Sequence, residues 1–197
     1  NGERYLREQL ASLFSQELPE GTELRILVRD DGSSDGTTAI LREYEEEGRL
    51  SFYRGERNLG PAGSFLSLMK RAEHYEWGEE RAEERTYYAL CDQDDFWESD
   101  KLKKSLKAIK RLERRYGKET PILVHSDLEI VDENLNSQNK KMSELTGISE
   151  AIKYAKEESK YLYTISTKES FSRYLVENNI TGNTVIINKA LLDIYKR

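Results

Sequence analysis

The chain has 197 residues, with 31 Lys and Arg against 37 Asp and Glu, a net charge of −6 and one cysteine. That is enough for one domain with a core of its own, and it excludes an internal disulfide framework. No apolar run approaches the ~18 residues that cross a bilayer, no signal-peptide pattern opens the chain, and the mild acidity gives no general case for nucleic acid.

Hydrophobic residues at 37% and charged residues at 35% imply a very polar surface, yet 12 Tyr, 5 Phe and 2 Trp argue against global disorder. Leu6, Leu10, Leu13 and Phe14 recur at helical spacing, with Pro19 beyond the helix end. Leu24 to Val28 reads as a strand running into a turn-rich loop, Asp30-Asp31-Gly32-Ser33-Ser34-Asp35-Gly36. Ile40, Leu41 and Tyr44 mark a helix capped by Ser34 or Asp35. Leu50 to Tyr53 is a weaker strand, Asn58-Leu59-Gly60-Pro61 a loop, and Phe65, Met69 and Ala72 a further helix. Residues 76–86 are almost all charged and read as a surface excursion.

Tyr87 to Cys91 reads as a buried strand, and Asp92-Gln93-Asp94-Asp95 follows it. Leu102, Leu106, Ile109, Leu112 and Tyr116 give a strongly amphipathic helix whose other face is rich in Lys and Arg; Gly117 suits its end. Ile122 to Val124 is a strand reaching His125-Ser126-Asp127, and Leu128 to Val131 continues extended towards a turn at Asp132-Glu133-Asn134. Residues 136–160 are polar and poorly periodic, and are expected to be mobile or loosely helical. Ser170 to Leu175 is expected to be helical, Thr184 to Ile187 a strand, and Leu191, Leu192 and Tyr195 the start of a last helix. Strands alternating with helices predict an α/β fold with a mostly parallel sheet.

Three carboxylates crowded at a strand end repel one another unless a cation joins them, and hard Mg²⁺ or Mn²⁺ shares oxygen ligands with substrate phosphates. Capping of the Lys-rich helix explains one of Asp92, Asp94 and Asp95 comfortably, but not all three. In Asp30-Asp31-Gly32-Ser33, glycine permits a tight turn and a carboxylate can accept hydrogen bonds from a base or a ribose; a strand-to-helix turn with capping carboxylates explains the same residues. A calcium-loop reading fits poorly, because Arg42 stands where the bidentate glutamate belongs. Arg57 can pair with a phosphate or be a solvated loop arginine. His125, Ser126 and Asp127 are adjacent on a strand, so they point to opposite faces and form no relay among themselves. Cys91 reads as a buried, inert thiol.

In this order the pieces resemble family 2 glycosyltransferases of the GT-A fold. Asn1 to Leu6 looks like the segment after that family's first strand, Asp30 to Thr37 its nucleotide-binding loop, Asn58-Leu59-Gly60 its next signature and Asp92-Gln93-Asp94 its DxD motif. Cys91 to Trp97, with His125-Ser126-Asp127 and Thr181-Gly182-Asn183-Thr184, is similar to the rhamnosyltransferase-like branch.

The resemblance implies a Rossmann-like GT-A domain over 1–197, truncated at both ends. Residues 1–100 would form its nucleotide-sugar-binding half and 101–197 its acceptor side. It implies a first strand before Asn1, and a catalytic base and membrane-associated parts after Arg197. Asp30, Asp31, Gly32, Ser33, Arg57, Asn58, Asp92 and Gln93 would bind the nucleotide sugar, and Asp94 with Asp92 would bind Mn²⁺ or Mg²⁺. Asp95 would act on the sugar side, Asp127 is the one candidate base in the chain, and Gly182 and Asn183 would lie on the acceptor side.

The implied reaction is inverting transfer from a nucleotide diphosphate donor, dTDP-rhamnose by this resemblance, to a glycan or lipid-linked acceptor. Its setting would be surface-polysaccharide assembly on the cytoplasmic side of a membrane, with no nucleic acid involved. A non-catalytic nucleotide-sugar-binding module and a nucleotidyltransferase remain as alternatives; the second lacks an evident Gly-rich triphosphate loop.

Overall fold

The computed structural model describes residues 1–74, 86–142, 162–164 and 182–194. The chain divides into two compact units: Asn1–Arg85 with Asp92–Lys103, and Thr86–Cys91 with Lys104–Tyr195.

In the first unit, helix α1 (Leu6–Phe14) buries Leu6, Leu10 and Leu13, spaced one helical turn apart. It packs on helix α2 (Thr37–Glu46) through Ile40 and Leu41. Strands β1 (Leu27–Asp30) and β2 (Ser51–Arg54) pair in parallel, Leu27 with Ser51 through to Asp30 with Arg54. Parallel neighbours need a crossover, and α2 supplies it. Helix α3 (Gly60–His74) packs against β1, and its Met69 is buried.

In the second unit, strands β3 (Tyr87–Ala89), β4 (Leu123–Ser126), β7 (Leu162–Thr164) and β8 (Val185–Asn188) form one sheet in the order β3-β8-β4-β7. Every pair in it is antiparallel. Helix α4 (Lys101–Tyr116) belongs to this unit from Lys104 onward. Its Leu106 and Ile109 pack with Ile122, Val124 and Ile186 to form the core. β8 is buried along its whole length, which its Val-Ile-Ile run anticipates. Its last residue, Asn188, accepts N–H groups of Ile122 (3.0 Å) and Leu191 (3.1 Å), closing the sheet end and capping helix α5 (Lys189–Ile194). Strands β5 (Glu129–Val131) and β6 (Ser137–Lys141) make a separate antiparallel ladder.

The α/β class holds, but the mostly parallel sheet does not: among the described residues only β1 and β2 pair in parallel. The cause is β8, which returns from far along the chain and inserts antiparallel between β3 and β4. Among the described residues β3 is an edge strand, with Tyr87 and Tyr88 half-buried and Ala89 exposed, rather than a buried one. The first strand starts at Leu27, later than its apolar run suggests. Residues 137–141, expected to be mobile or helical, form a strand whose Asn139 has a positive φ of 54°. The turn at Asp132 stands as expected, with its carboxylate accepting the N–H groups of Asn134 and Asn136 at 2.9 Å each. The expected excursion at 76–85, the segment 143–160, the helix at 170–175, and Thr181 and Tyr195 lie outside the described residues.

Ile109 is fully buried. Ile109→Ala is expected to destabilise the protein by about 2–5 kcal/mol in urea unfolding, and a loss under ~1 kcal/mol would contradict its place in the core.

Candidate functional site

Successive side chains at the end of β1 leave on opposite sides, so Asp30 and Asp31 do different work. Asp30 is buried, its carboxylate accepting the Ser33 N–H at 3.0 Å and the Thr38 hydroxyl at 3.4 Å, with Arg54 Nε at 3.5 Å. It folds its own loop. That loop turns at Gly32, whose φ of 98° suits glycine and whose Cβ position is open.

Asp31 joins two loops. Its Oδ2 accepts the N–H groups of Leu59 (2.8 Å) and Gly60 (2.9 Å), and its carbonyl accepts Asn58 Nδ2 at 3.1 Å. Its Oδ1 pairs with Arg29 Nη1. The Arg29 side chain is 3% exposed and also donates to Ser64 Oγ and to the Arg57 carbonyl, both at 2.8 Å. Burial alone would raise the Asp31 carboxyl, but hydrogen bonds from Arg29, Leu59, Gly60 and Ser64 outweigh it and hold it below the usual carboxylate range.

Residues 1–3 tie this loop to the acidic one. Asn1 Oδ1 accepts the Ser34 N–H at 2.8 Å, Gly2 donates to Thr37 Oγ1 at 2.7 Å, and Glu3 Oε2 accepts the Gly36 N–H at 2.7 Å. Asp35 accepts the Thr37 N–H at 3.1 Å, but the residue that caps α2 is Gly36, without a side-chain bond, and not Ser34 or Asp35 as expected. A Cβ on Gly2 would come within 2.9 Å of Gln93 Cγ, so the two segments are in close contact.

Gln93 and Asp94 are exposed in a turn, while Asp92 and Asp95 are half-buried. The segment after them is clamped on α1. Ser12 Oγ accepts the Trp97 N–H at 3.1 Å, Gln16 Nε2 donates to the Glu98 carbonyl at 2.8 Å, and Gln16 Oε1 accepts the Leu102 N–H at 3.0 Å. Burial, then the charges of Asp95 and Asp94, push the Asp92 carboxyl above its usual range. Among the described residues no three His, Cys, Asp or Glu are grouped so as to hold a metal ion. Asp92 and Asp94 are carboxylates, the donor type that a hard cation takes together with phosphate and water.

In the second unit, His125 is buried and its imidazole is held below its usual pKa by that burial. Asp127 is half-buried and Oδ1 accepts the Leu128 N–H at 2.9 Å. His125 pairs with Val185, so Asp127 and the Gly182–Thr184 turn lie at the same end of the sheet. Asn183 is buried there, and Cys91 is only half-buried.

The structure thus gathers Asp30, Asp31, Gly32, Ser33, Asn58 and the Arg57 backbone into one cluster, with Gln93 joined to it through Gly2. The Arg57 side chain is exposed. Sequence reading passed over Arg29, although Arg29 and Asp31 stand two apart on extended backbone and so share a face. It also passed over Ser12 and Gln16, polar residues that lie within and just beyond the apolar pattern of α1.

Residues 1–164 match the model of glycosyl transferase family 2. The dTDP-rhamnosyl transferase RfbG of Shigella flexneri is 29% identical over 112 residues, 55% of this chain and 35% of RfbG. The poly(ribitol-phosphate) beta-N-acetylglucosaminyltransferase TarS of Staphylococcus aureus is 33% identical over 104 residues, 52% of this chain and 16% of TarS. The crystal structure of TarS 1–349 with UDP is similar over 90% of this chain and 61% of that one, at 21% identity and a TM-score of 0.48. The chain thus spans about a third or less of the length of these curated relatives.

Because the folded Asp31 carboxyl titrates below its unfolded value, its contribution to stability is present above about pH 4 and fades as pH falls through the lowered value. Asp31→Asn is therefore expected to melt below the parent at neutral pH, with the gap closing under acid. An equal gap at both pH values in thermal unfolding would contradict the ionised bridge.

Proposed function

The chain belongs to glycosyl transferase family 2, and from that membership we propose that it binds a nucleotide diphosphate sugar and transfers the sugar, with inversion, to an acceptor hydroxyl. The observation that carries this reading is the acidic run with Asp92, Asp94 and Asp95, whose Asp92 carboxyl is raised by burial and then by the charges of the other two, in the same unit as the Asp31 loop and close to it through Gly2.

The roles follow from exposure and partners. The turn at Asp31, Gly32 and Ser33 leaves backbone open to a base or ribose, because nothing stands over Gly32. The exposed Arg57 and Asn58 lie on the loop that Asp31 holds, within reach of a phosphate or ribose oxygen. Asp94 and Asp92 would hold Mn²⁺ or Mg²⁺, which when bound neutralises charge growing on the diphosphate leaving group. Asp95 orients the sugar. In the second unit Asp127 is the candidate base for an acceptor hydroxyl, with Gly182 and Asn183 at the same end of its sheet. Inversion requires a single displacement, so no side chain forms a covalent intermediate.

The name of the relative RfbG supports dTDP-rhamnose as the donor, and that of TarS supports a polymeric acceptor, in keeping with a role in cell-surface polysaccharide synthesis. We place the reaction on the cytoplasmic side. Among the described residues no helix is long and apolar enough to cross a membrane.

Asp94→Asn is expected to lose the metal-dependent part of its nucleotide diphosphate affinity, a drop of roughly tenfold or more, with the far-UV spectrum unchanged. Undiminished metal-dependent affinity in that variant sinks the metal assignment. Asp31→Ala should weaken nucleotide binding even without metal, and Arg29→Gln should weaken it through the same loop. Parent-like affinity in both makes the loop purely structural.

A further inference from the structure

Two aromatic residues follow the acidic run in the first unit, and they have opposite fates. Trp97 is 4% exposed and Phe96 is 48% exposed. The Trp97 side is anchored to α1. Its N–H donates to Ser12 Oγ at 3.1 Å, and its carbonyl and that of Glu98 accept Gln16 Nε2 at 3.4 and 2.8 Å. The Ser99 carbonyl accepts the Glu17 N–H at 2.7 Å, and Lys101 Nζ lies 4.1 Å from the centre of the Trp97 ring. Phe96 stands one residue from that anchor with its ring half in solvent. Among the described residues no ring or cation stacks on it, whereas Phe14 lies against Tyr44 and Arg49, and Tyr53 against Arg71.

A single exposed ring is common on a protein surface, so its neighbours decide what it can meet. Asp94 and Asp95 precede Phe96, and Glu98 follows Trp97. Carboxylates on both sides interrupt any continuous apolar patch of the kind that docks another protein. Carboxylates around one bare ring are instead the chemistry of a sugar site. A pyranose carries hydroxyls around its rim, which carboxylates accept, and C–H groups on its faces, which the negative face of an aromatic ring attracts. Phenylalanine has no polar atom, so it adds that contact without competing for hydroxyls or for a cation.

Spacing supports the same partner. Phe96 is two residues beyond Asp94, the residue proposed to hold the cation on the diphosphate. Two residues span at most about 7 Å. In a nucleotide diphosphate sugar the pyranose is joined to the terminal phosphate through one oxygen, so a group this close to the cation ligand is placed for the sugar and not for the base.

We propose that Phe96 is a specificity-determining residue whose ring packs on the C–H face of the donor pyranose, a face that a 6-deoxyhexose presents with its methyl group. The proposal rests on the reading of the chain as a binder of nucleotide diphosphate sugars. Phe96 acts on the sugar and not on the nucleotide, so the two affinities separate when it is changed.

Calorimetric titration with Mn²⁺ present compares dTDP with dTDP-rhamnose, and UDP with UDP-N-acetylglucosamine; the pair whose nucleotide binds tighter is followed. The parent is expected to bind the nucleotide sugar more tightly than the nucleotide alone. Phe96→Ala should weaken the nucleotide sugar roughly tenfold and leave the nucleotide within about twofold. Phe96→Tyr, which keeps the ring, should bind both as the parent does, and Phe96→Leu, which keeps apolar bulk alone, should lose most of the difference. Circular dichroism of each variant establishes that it is folded. A folded parent that binds neither nucleotide overturns the nucleotide-sugar reading and this proposal with it. The proposal alone is overturned if the parent binds the nucleotide but gains nothing from the sugar, if Phe96→Ala keeps the parent's affinity for the nucleotide sugar, or if it loses both affinities equally.

Discussion

The buried guanidinium of Arg29 is the constraint on which the rest of the first unit's site depends. A cation that is 3% exposed must be fully paired, and Asp31, Ser64 and the Arg57 carbonyl pair it. Those partners come from the end of β1, from α3 and from the loop between β2 and α3, so satisfying one charge fixes three segments. Removing either partner of such a pair typically costs about 3–5 kcal/mol, because the other is left buried and uncompensated. The same carboxylate then accepts two backbone N–H groups, which orients the Asn58 loop as well. The end of β1 is thereby tied into a rim with the Asn58 loop.

The acidic loop is held by different means. Its leading side lies against Gly2, where a Cβ would crowd Gln93 Cγ at 2.9 Å, and its trailing side is clamped by Ser12 and Gln16 with Trp97 buried beneath. Between those anchors, burial and then the charges of Asp95 and Asp94 raise the Asp92 carboxyl.

Much of this was legible in the residues. Helix periodicity located α1, α2, α3 and α4, because each buries one stripe. The turn residues placed the Asp30 to Gly36 loop after a strand. The order of the motifs pointed to the family that the comparisons establish. Sheet direction was not legible: pairing of β8 between β3 and β4 is a long-range choice that no local pattern encodes. The strand at 137–141 was missed because Ser-Gln-Asn-Lys-Lys has no apolar face; it is held by its ladder to β5. Arg29, Ser12 and Gln16 were missed for a related reason: their importance is in what they bond, far along the chain.

We propose that the Asp31 rim and the Asp92–Asp95 loop form one receptor for a nucleotide diphosphate and its cation. Calorimetric titration of the chain with dTDP and with UDP, each with and without Mn²⁺, should then show binding that strengthens with Mn²⁺, and tighter binding of dTDP than of UDP if rhamnose is the sugar carried. A folded chain that binds neither nucleotide, with or without the ion, would contradict it.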